Sequence, residues 1–325
     1  MGSEPPARRV DGGANAVPII VHGLRRSGTT IFWETLRSDP AARCYDEPFH
    51  PAFAAGARQN HKGTWSEMAE AAAAPDAPPP SGIPPLDELS AETPPAQRIW
   101  LAHLLGAGPR VAMDIVRGWN RLPGLYPPGL RCLTIQLVRD PASWAEAHLM
   151  PSGQGTWRKP VADLWRRMSR YGRRGFYDNY QYQTIIEAAI ARRHPVMAQT
   201  ALDPQDLGRQ PAYVRLLAFW WGANRILRQG CRLAPQPCVV VTHDRFSHAP
   251  AATLEEIAAL AGWQDARFDC GPVRPSGRPA GARDPHWLRA VRLLGLPPDI
   301  LDPGPVNGAD LAAMFEAGAL ARSAG

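Results

Sequence analysis

Lysine is nearly missing from this chain of 325 residues; only Lys62 and Lys159 carry it. Almost all the positive charge is therefore arginine, and the net charge is +6 with an isoelectric point near 9.3. A basic excess raises nucleic acid as a partner. Here the arginines are spread along the chain and are not interleaved with aromatics in any recognisable module, so no nucleic-acid partner is expected. The planar guanidinium fork suits phosphate and sulfate, which makes small anionic ligands the expectation. Long apolar runs are absent as well. None approaches the roughly 20 residues of a membrane-spanning helix, so no membrane span is expected. Residues 1–16 carry Arg8 and Arg9 with no apolar stretch behind them. They read as a flexible tail and not as a signal peptide, which points to the cytoplasm. The five cysteines, Cys44, Cys132, Cys231, Cys238 and Cys270, include no CxxC pair. An odd, scattered set makes neither a disulfide framework nor a zinc site, and no metal is expected. No internal repeat is visible.

What is present fits one α/β domain from residue 17 to 325, with 45% hydrophobic residues. Val17 to Val21 is a short apolar run that reads as a buried strand. A Gly/Ser/Thr loop follows, then a helix from Thr30 to Arg37 that Asp39-Pro40 ends. Arg110–Val116, Leu133–Val138 and Cys238–Val241 read as further strands. Helical segments are expected at 161–194, at 254–260 and, amphipathic, at 214–229. Strands alternating with helices imply a central parallel sheet flanked by helices. Residues 71–97 are rich in Ala and Pro; proline blocks regular structure there, so the segment reads as a surface excursion or lid. Residues 271–285 read as loop.

The loop His22-Gly23-Leu24-Arg25-Arg26-Ser27-Gly28-Thr29-Thr30 carries the chemistry. Backbone N–H groups of a glycine turn, followed by a helix N-terminus, make an anion cradle. Gly23 and Gly28 have the spacing of a nucleotide-binding P-loop, but Thr29 stands where that pattern needs lysine. A nucleotide triphosphate site uses that lysine and magnesium against a highly charged terminal phosphate. A cradle without the lysine suits a less charged group, such as a phosphosulfate. The second motif is Arg139-Asp140-Pro141 at the end of the third strand. Open α/β sheets bind ligands at such strand ends, and the Arg139 fork can take a second phosphate. Asp140 and Pro141 open the next helix.

With these two motifs the chain resembles the sulfotransferases that use 3′-phosphoadenosine-5′-phosphosulfate, in their carbohydrate-type branch. A third likeness is Cys238-Val-Val-Val-Thr-His-Asp-Arg-Phe246 with its following helix, and together the three span residues 17 to about 265. The resemblance implies a P-loop-like sulfotransferase fold, with Arg25, Arg26, Ser27, Gly28, Thr29 and Thr30 at the 5′-phosphosulfate and Arg139 at the 3′-phosphate. The family's serine eight residues after that arginine is Ala147 here, so Ser143 or His148 would replace it. The family's tyrosine facing adenine is His243. A loose echo of its C-terminal phosphate loop lies at Arg274–Arg278.

Tyr45-Asp46-Glu47-Pro48-Phe49-His50 resembles the Glu-Pro segment that holds the family's base. An acceptor hydroxyl must lose its proton as it attacks sulfur. Glu47 is the first candidate, His50 the second and Asp46 the third. Arg26 binds charge but donates no proton, so it would stabilise the leaving phosphate electrostatically. Arg117, near the end of a strand, would reach acceptor or cofactor. The implied reaction moves a sulfuryl group to a hydroxyl or amine of a carbohydrate, lipid or natural product. Trp65, Trp100, Trp119 and Trp157 lie where they could line the acceptor pocket. Two alternatives stay open. One is a magnesium-dependent kinase or nucleotidase, with Asp114 as the metal-binding candidate. The other is a non-catalytic anion-binding protein on the same fold. Oligomeric state is not legible.

Overall fold

The computed structural model describes residues 16–60, 62–108, 110–149, 170–175, 181–275, 284–301 and 311–316. The expected N-terminal tail, Trp157, most of the 161–194 helix up to residue 180, and residues 276–283 of the expected C-terminal loop lie largely or wholly outside them. Five strands form one all-parallel sheet: β1 (Ile19–Gly23), β2 (Arg43–Asp46), β3 (Val111–Ile115), β4 (Leu133–Val138) and β5 (Cys238–Thr242), in the order β2-β3-β1-β4-β5. Every strand residue of β1, β3 and β4 is buried. Parallel strands covered on both faces need such continuous apolar runs.

Alternation along the strands divides the core in two. Ile19, Val21, Ile135 and Leu137 face α1 (Thr29–Arg37) and the helix Pro250–Leu260, through Phe32, Trp33, Leu254 and Ile257. Ile20, Met113 and Val138 face the other layer, built from the helices Pro95–Leu105, Pro141–Leu149, Tyr182–Ala191 and Ala212–Leu233. The last of these is expected to be amphipathic. It is instead buried along most of its length, from Tyr213 to Arg225, because the sheet lies below it and other helices surround it. Gln136 of β4 donates to the carbonyl of Asn224 at 3.0 Å and joins sheet to helix.

The 71–97 segment runs largely over the surface, as expected, but part of it is tied down. It holds a 3₁₀ turn at Pro85–Leu89, and Ile83, Glu88 and Leu89 are buried. Between the helices Ser66–Ala72 and Pro95–Leu105 the prolines disfavour an α-helix, but not a close-fitting strap. The strap is fastened through its carbonyls: Asn120 donates to Leu89 at 2.9 Å and Arg121 to Ser90 at 3.1 Å. Among the described residues, no helix is long and apolar enough to cross a membrane.

Candidate functional site

β1 is central, and the chain leaves β1 toward β2 but leaves β4 toward β5. The gap between the C-terminal ends of β1 and β4 is where an open parallel sheet receives ligands. The glycine loop lies there. Gly23 admits no side chain, since a Cβ would sit 2.8 Å from Thr29 Cγ2 and 3.0 Å from the Leu137 carbonyl. Ser27 N–H donates to the Leu24 carbonyl at 3.0 Å and closes the turn. Arg26 (φ 71°) and Gly28 (φ 91°) adopt left-handed backbone. Gly28 is the N-cap of α1 and its carbonyl accepts from Phe32 N–H. The first-turn N–H groups of α1 have no acceptor within the helix.

Three side chains fix how the loop peptides point. Trp144 Nε1 donates to the Arg25 carbonyl at 2.8 Å. Arg139 Nη1 donates to the Arg26 carbonyl at 2.9 Å. Arg25 N–H donates to Tyr182 Oη at 3.1 Å. Arg139, expected at a second phosphate, thus reaches the loop from the end of β4, and Trp220 Nε1 holds the Arg139 carbonyl at 3.2 Å. Burial and the neighbouring Arg26 lower the Arg139 pKa. Asp140 accepts from Ser143 N–H at 2.6 Å and, being buried, is pushed up to about 6. Ser143 stands beside it in the first turn of the Pro141–Leu149 helix. His148 does not take the missing serine's place on this side: it is buried between the Trp144 and Tyr182 rings, 4.5 and 4.8 Å away. Burial, with Arg25 and Arg26 nearby, lowers its pKa to about 3.

His243, the first residue after β5, comes to the same loop. Its ring lies so close to Gly28 that a Cβ there would meet Cδ2 at 2.2 Å and Nε2 at 2.8 Å. Burial and the Arg139 charge hold the imidazole down near 4, so it is neutral at pH 7. Thr29 is buried, and Thr30 is half-buried with its Oγ1 3.4 Å from Lys62 Nζ.

Arg25 turns away from the cradle. Its Nη1 lies 2.6 Å from Glu88 Oε1, and its guanidinium sits over the Tyr182 ring at 4.5 Å. Arg25 is expected at the phosphosulfate; instead its side chain is engaged by Glu88 and Tyr182, and its backbone N–H and carbonyl by Tyr182 and Trp144. Glu88, from the strap, also takes Arg117 Nη1 at 3.2 Å, and Arg117 Nε lies 3.5 Å from Glu47 Oε2. Arg25, Glu88 and Arg117 are all buried, and burial pushes Glu88 up to about 7 against the pull of both arginines. Nothing in the sequence pattern of Pro85-Leu-Asp-Glu-Leu89 marks Glu88 as a buried counter-ion.

Glu47 has left-handed backbone, φ 46°. A non-glycine residue pays for that conformation and keeps it only where the surroundings over-determine it, often at functional sites. What holds it is Asp114 Oδ1, which accepts Glu47 N–H at 2.9 Å. Asp114 is paired in register with Asp46 across β2 and β3, and Asp46 accepts from Thr64 Oγ1 and, at 3.4 Å, from Asn60 Nδ2. Burial is the main cause that raises both carboxyls; repulsion from Asp46 and Glu47 adds to it at Asp114, while at Asp46 the Thr64 hydrogen bond opposes it and repulsion from Glu47 adds to it. Asp46 and Asp114 are therefore structural partners here. His50 caps the short helix Pro51–Ala54: its Nδ1 accepts Ala52 N–H at 3.2 Å. The neutral ring then carries its proton on Nε2 and can donate, but cannot take a proton without losing the cap. Burial, then Arg117, lowers its pKa. Of the three base candidates, Glu47 alone presents a carboxylate that is partly open, 26% exposed in its side chain, beside a guanidinium.

Trp65, Trp100 and Trp119 are buried in the core. Arg274 is exposed and donates to the Gly271 carbonyl at 3.1 Å; residues 276–278 of that stretch lie outside the described residues. Among the described residues, no group of three or more His, Cys, Asp or Glu side chains is gathered to hold a metal ion. No protein-family model matches the chain, and no curated protein matches it in sequence.

Proposed function

We propose that this chain moves a sulfuryl group from 3′-phosphoadenosine-5′-phosphosulfate to a hydroxyl or amine acceptor. The observation that carries this reading is the hydrogen bond from Arg139 at the end of β4 to the Arg26 carbonyl of the glycine loop. It joins two motifs more than a hundred residues apart at the ligand-binding edge of a parallel sheet. The residues fit the donor. With the carbonyls of Arg25 and Arg26 bound to Trp144 and Arg139, the α1 N-terminus offers N–H groups to an anion. Arg26 and the Thr29 and Thr30 hydroxyls belong to the same cradle. Arg139 would hold the second phosphate, with Ser143 beside it and His243 against the loop.

In this reading an acceptor oxygen or nitrogen attacks sulfur and gives its proton to Glu47. The S–O bond to the 5′-phosphate breaks, and its electron pair stays on the phosphate oxygen. Arg117 orients the Glu47 carboxylate, and Glu88 holds Arg117. Cradle N–H groups and Arg26 take the charge that develops on the leaving oxygen. The cytoplasmic location and a carbohydrate, lipid or natural-product acceptor belong to the same proposal.

Thermal melts test it without knowledge of the acceptor. At about 100 times its dissociation constant, 3′-phosphoadenosine-5′-phosphate should stabilise the protein by roughly 2.7 kcal/mol, several degrees, with no metal. Arg139→Ala should remove the shift, while Glu47→Gln should keep it and lower transfer by about 10²–10⁴-fold. A shift with ATP and magnesium only would hand the site to the kinase reading. No shift with either would leave a non-catalytic fold.

A further inference from the structure

The glycine loop has threonine where a P-loop carries its lysine, yet an ammonium stands at that loop. Lys62 Nζ lies 3.4 Å from Thr30 Oγ1, although Lys62 is thirty-two residues further along the chain. It is the sole lysine among the described residues. Its position is built. The Asn60 side chain accepts from the N–H groups of Lys62, at 3.1 Å, and of Thr64, at 3.0 Å. Asn60 Nδ2 also donates to Thr64 Oγ1 at 2.7 Å. Gly63, at the tip, has φ 67°, which turns the chain back. Thr64 is buried, and both Asn60 and Thr64 donate to Asp46 on β2. One end of that carboxyl's network thus holds the Lys62 turn, and the other, through Asp114, holds Glu47. The candidate base and the lysine are mounted on the same buried pair of aspartates.

We infer that Lys62 is the cation that contacts the transferred group of the bound donor, supplied by a separate turn in place of the lysine the loop lacks. This rests on the sulfuryl-transfer reading of the site. The chemical need is specific. As the acceptor attacks, the S–O bond to the 5′-phosphate breaks, the electron pair moves onto the bridging oxygen, and the acceptor proton goes to Glu47. Negative charge grows between sulfur and phosphate. Arg25 is committed to Glu88 and Arg139 reaches the Arg26 carbonyl; Arg26 serves the leaving oxygen, and Lys62 is placed for the sulfuryl oxygens. An ammonium carries three donors, so contact with Thr30 is compatible with contact to a sulfuryl oxygen. Unlike a guanidinium, it is a compact point charge that fits a single oxygen.

The test compares wild type, Lys62→Gln and Lys62→Arg by calorimetric titration. The probes are 3′-phosphoadenosine-5′-phosphosulfate, 3′-phosphoadenosine-5′-phosphate, and ATP and AMP with magnesium. Lys62 is exposed, so ligand-free melts of all three proteins should coincide. Loss of one charge-assisted contact predicts that Lys62→Gln binds the phosphosulfate at least about tenfold more weakly. Affinity for the bisphosphate, which lacks the sulfuryl group, should stay within about twofold, and Lys62→Arg should recover part of the loss. If wild type binds both adenosine ligands and Lys62→Gln matches it on both, or weakens both equally, the inference is wrong while the transferase reading stands. If wild type takes only the magnesium nucleotides and Lys62→Gln weakens ATP but not AMP, the transferase reading falls and Lys62 keeps its role. If wild type binds none of the four, both are overturned.

Discussion

Replacing Gly28 by alanine should damage this protein in two separable ways, and a double-mutant cycle can separate them. At φ 91° a Cβ clashes with its own backbone, which costs about 1–2 kcal/mol. In addition, the new methyl would lie 2.2 Å from His243 Cδ2, so the imidazole must leave its place against the loop. Overpacking of that kind costs about 1–3 kcal/mol. Gly28→Ala should therefore lose about 2–5 kcal/mol in urea unfolding. In a His243→Ala background the collision vanishes and only the backbone part remains. The coupling between the two sites should then be about 1–3 kcal/mol, favourable to the double variant. Gly56 supplies a control, since it has φ 106° and nothing within 4 Å of its would-be Cβ. Gly56→Ala should cost the backbone part alone. Equal cost of Gly28→Ala in both backgrounds, with unchanged urea slopes, would refute the contact between His243 and the loop.

Two further outcomes follow from the buried charges. Glu88→Ala leaves the Arg25 and Arg117 guanidinium groups without the carboxylate between them, and should cost about 3–5 kcal/mol; a loss under 1 kcal/mol by urea titration would mean the ion network is not formed. His22 and His148 are buried with pKa lowered to about 3 from 6.5. Between those values the unfolded chain binds protons that the folded chain does not, so their contribution to stability is complete above pH 6.5 and is lost as pH falls toward 3. Each supplies a slope of about 1.4 kcal/mol per pH unit. Asp140 and Glu88, raised to about 6 and about 7, act with the opposite sign. The readout is therefore a difference: His148→Gln should reduce the pH slope of stability between 6 and 4 by about 1.4 kcal/mol per unit, and an unaltered slope would show that His148 is not buried in neutral form.

Sequence reasoning reached the parts of this molecule that are written locally. Branched apolar runs announced β1, β3, β4 and β5, glycine spacing announced the loop, and Asp140-Pro141 announced a helix start. β2 was illegible because Arg-Cys-Tyr-Asp has no such run; its strand state comes from pairing with β3, Asp46 against Asp114. The same pairing decides which carboxylate is available, since it engages Asp46 and leaves the adjacent Glu47 beside Arg117. Arg25 and Arg26 are indistinguishable as neighbours in a sequence. The left-handed turn at Arg26 sends them different ways, and the partner that claims Arg25 is Glu88, sixty-three residues later in a proline-rich stretch. Lys62 was equally hidden, because a lysine in a turn acquires meaning only when that turn is fastened next to Thr30.

The order of strands also governs when the glycine loop can take its shape. β1 has no hairpin partner. Its neighbours are β3 and β4, with Ile19 opposite Ala112 on one side and Leu133 on the other. The peptide directions of the loop then depend on Arg139 and Trp144. A chain growing from a ribosome would carry the loop sequence for more than a hundred residues before anything could hold it in shape. Such distant parallel pairings cost loop-closure entropy before they gain contacts, so they form slowly. The glycine turn, although it comes early in the sequence, is among the last parts to become itself.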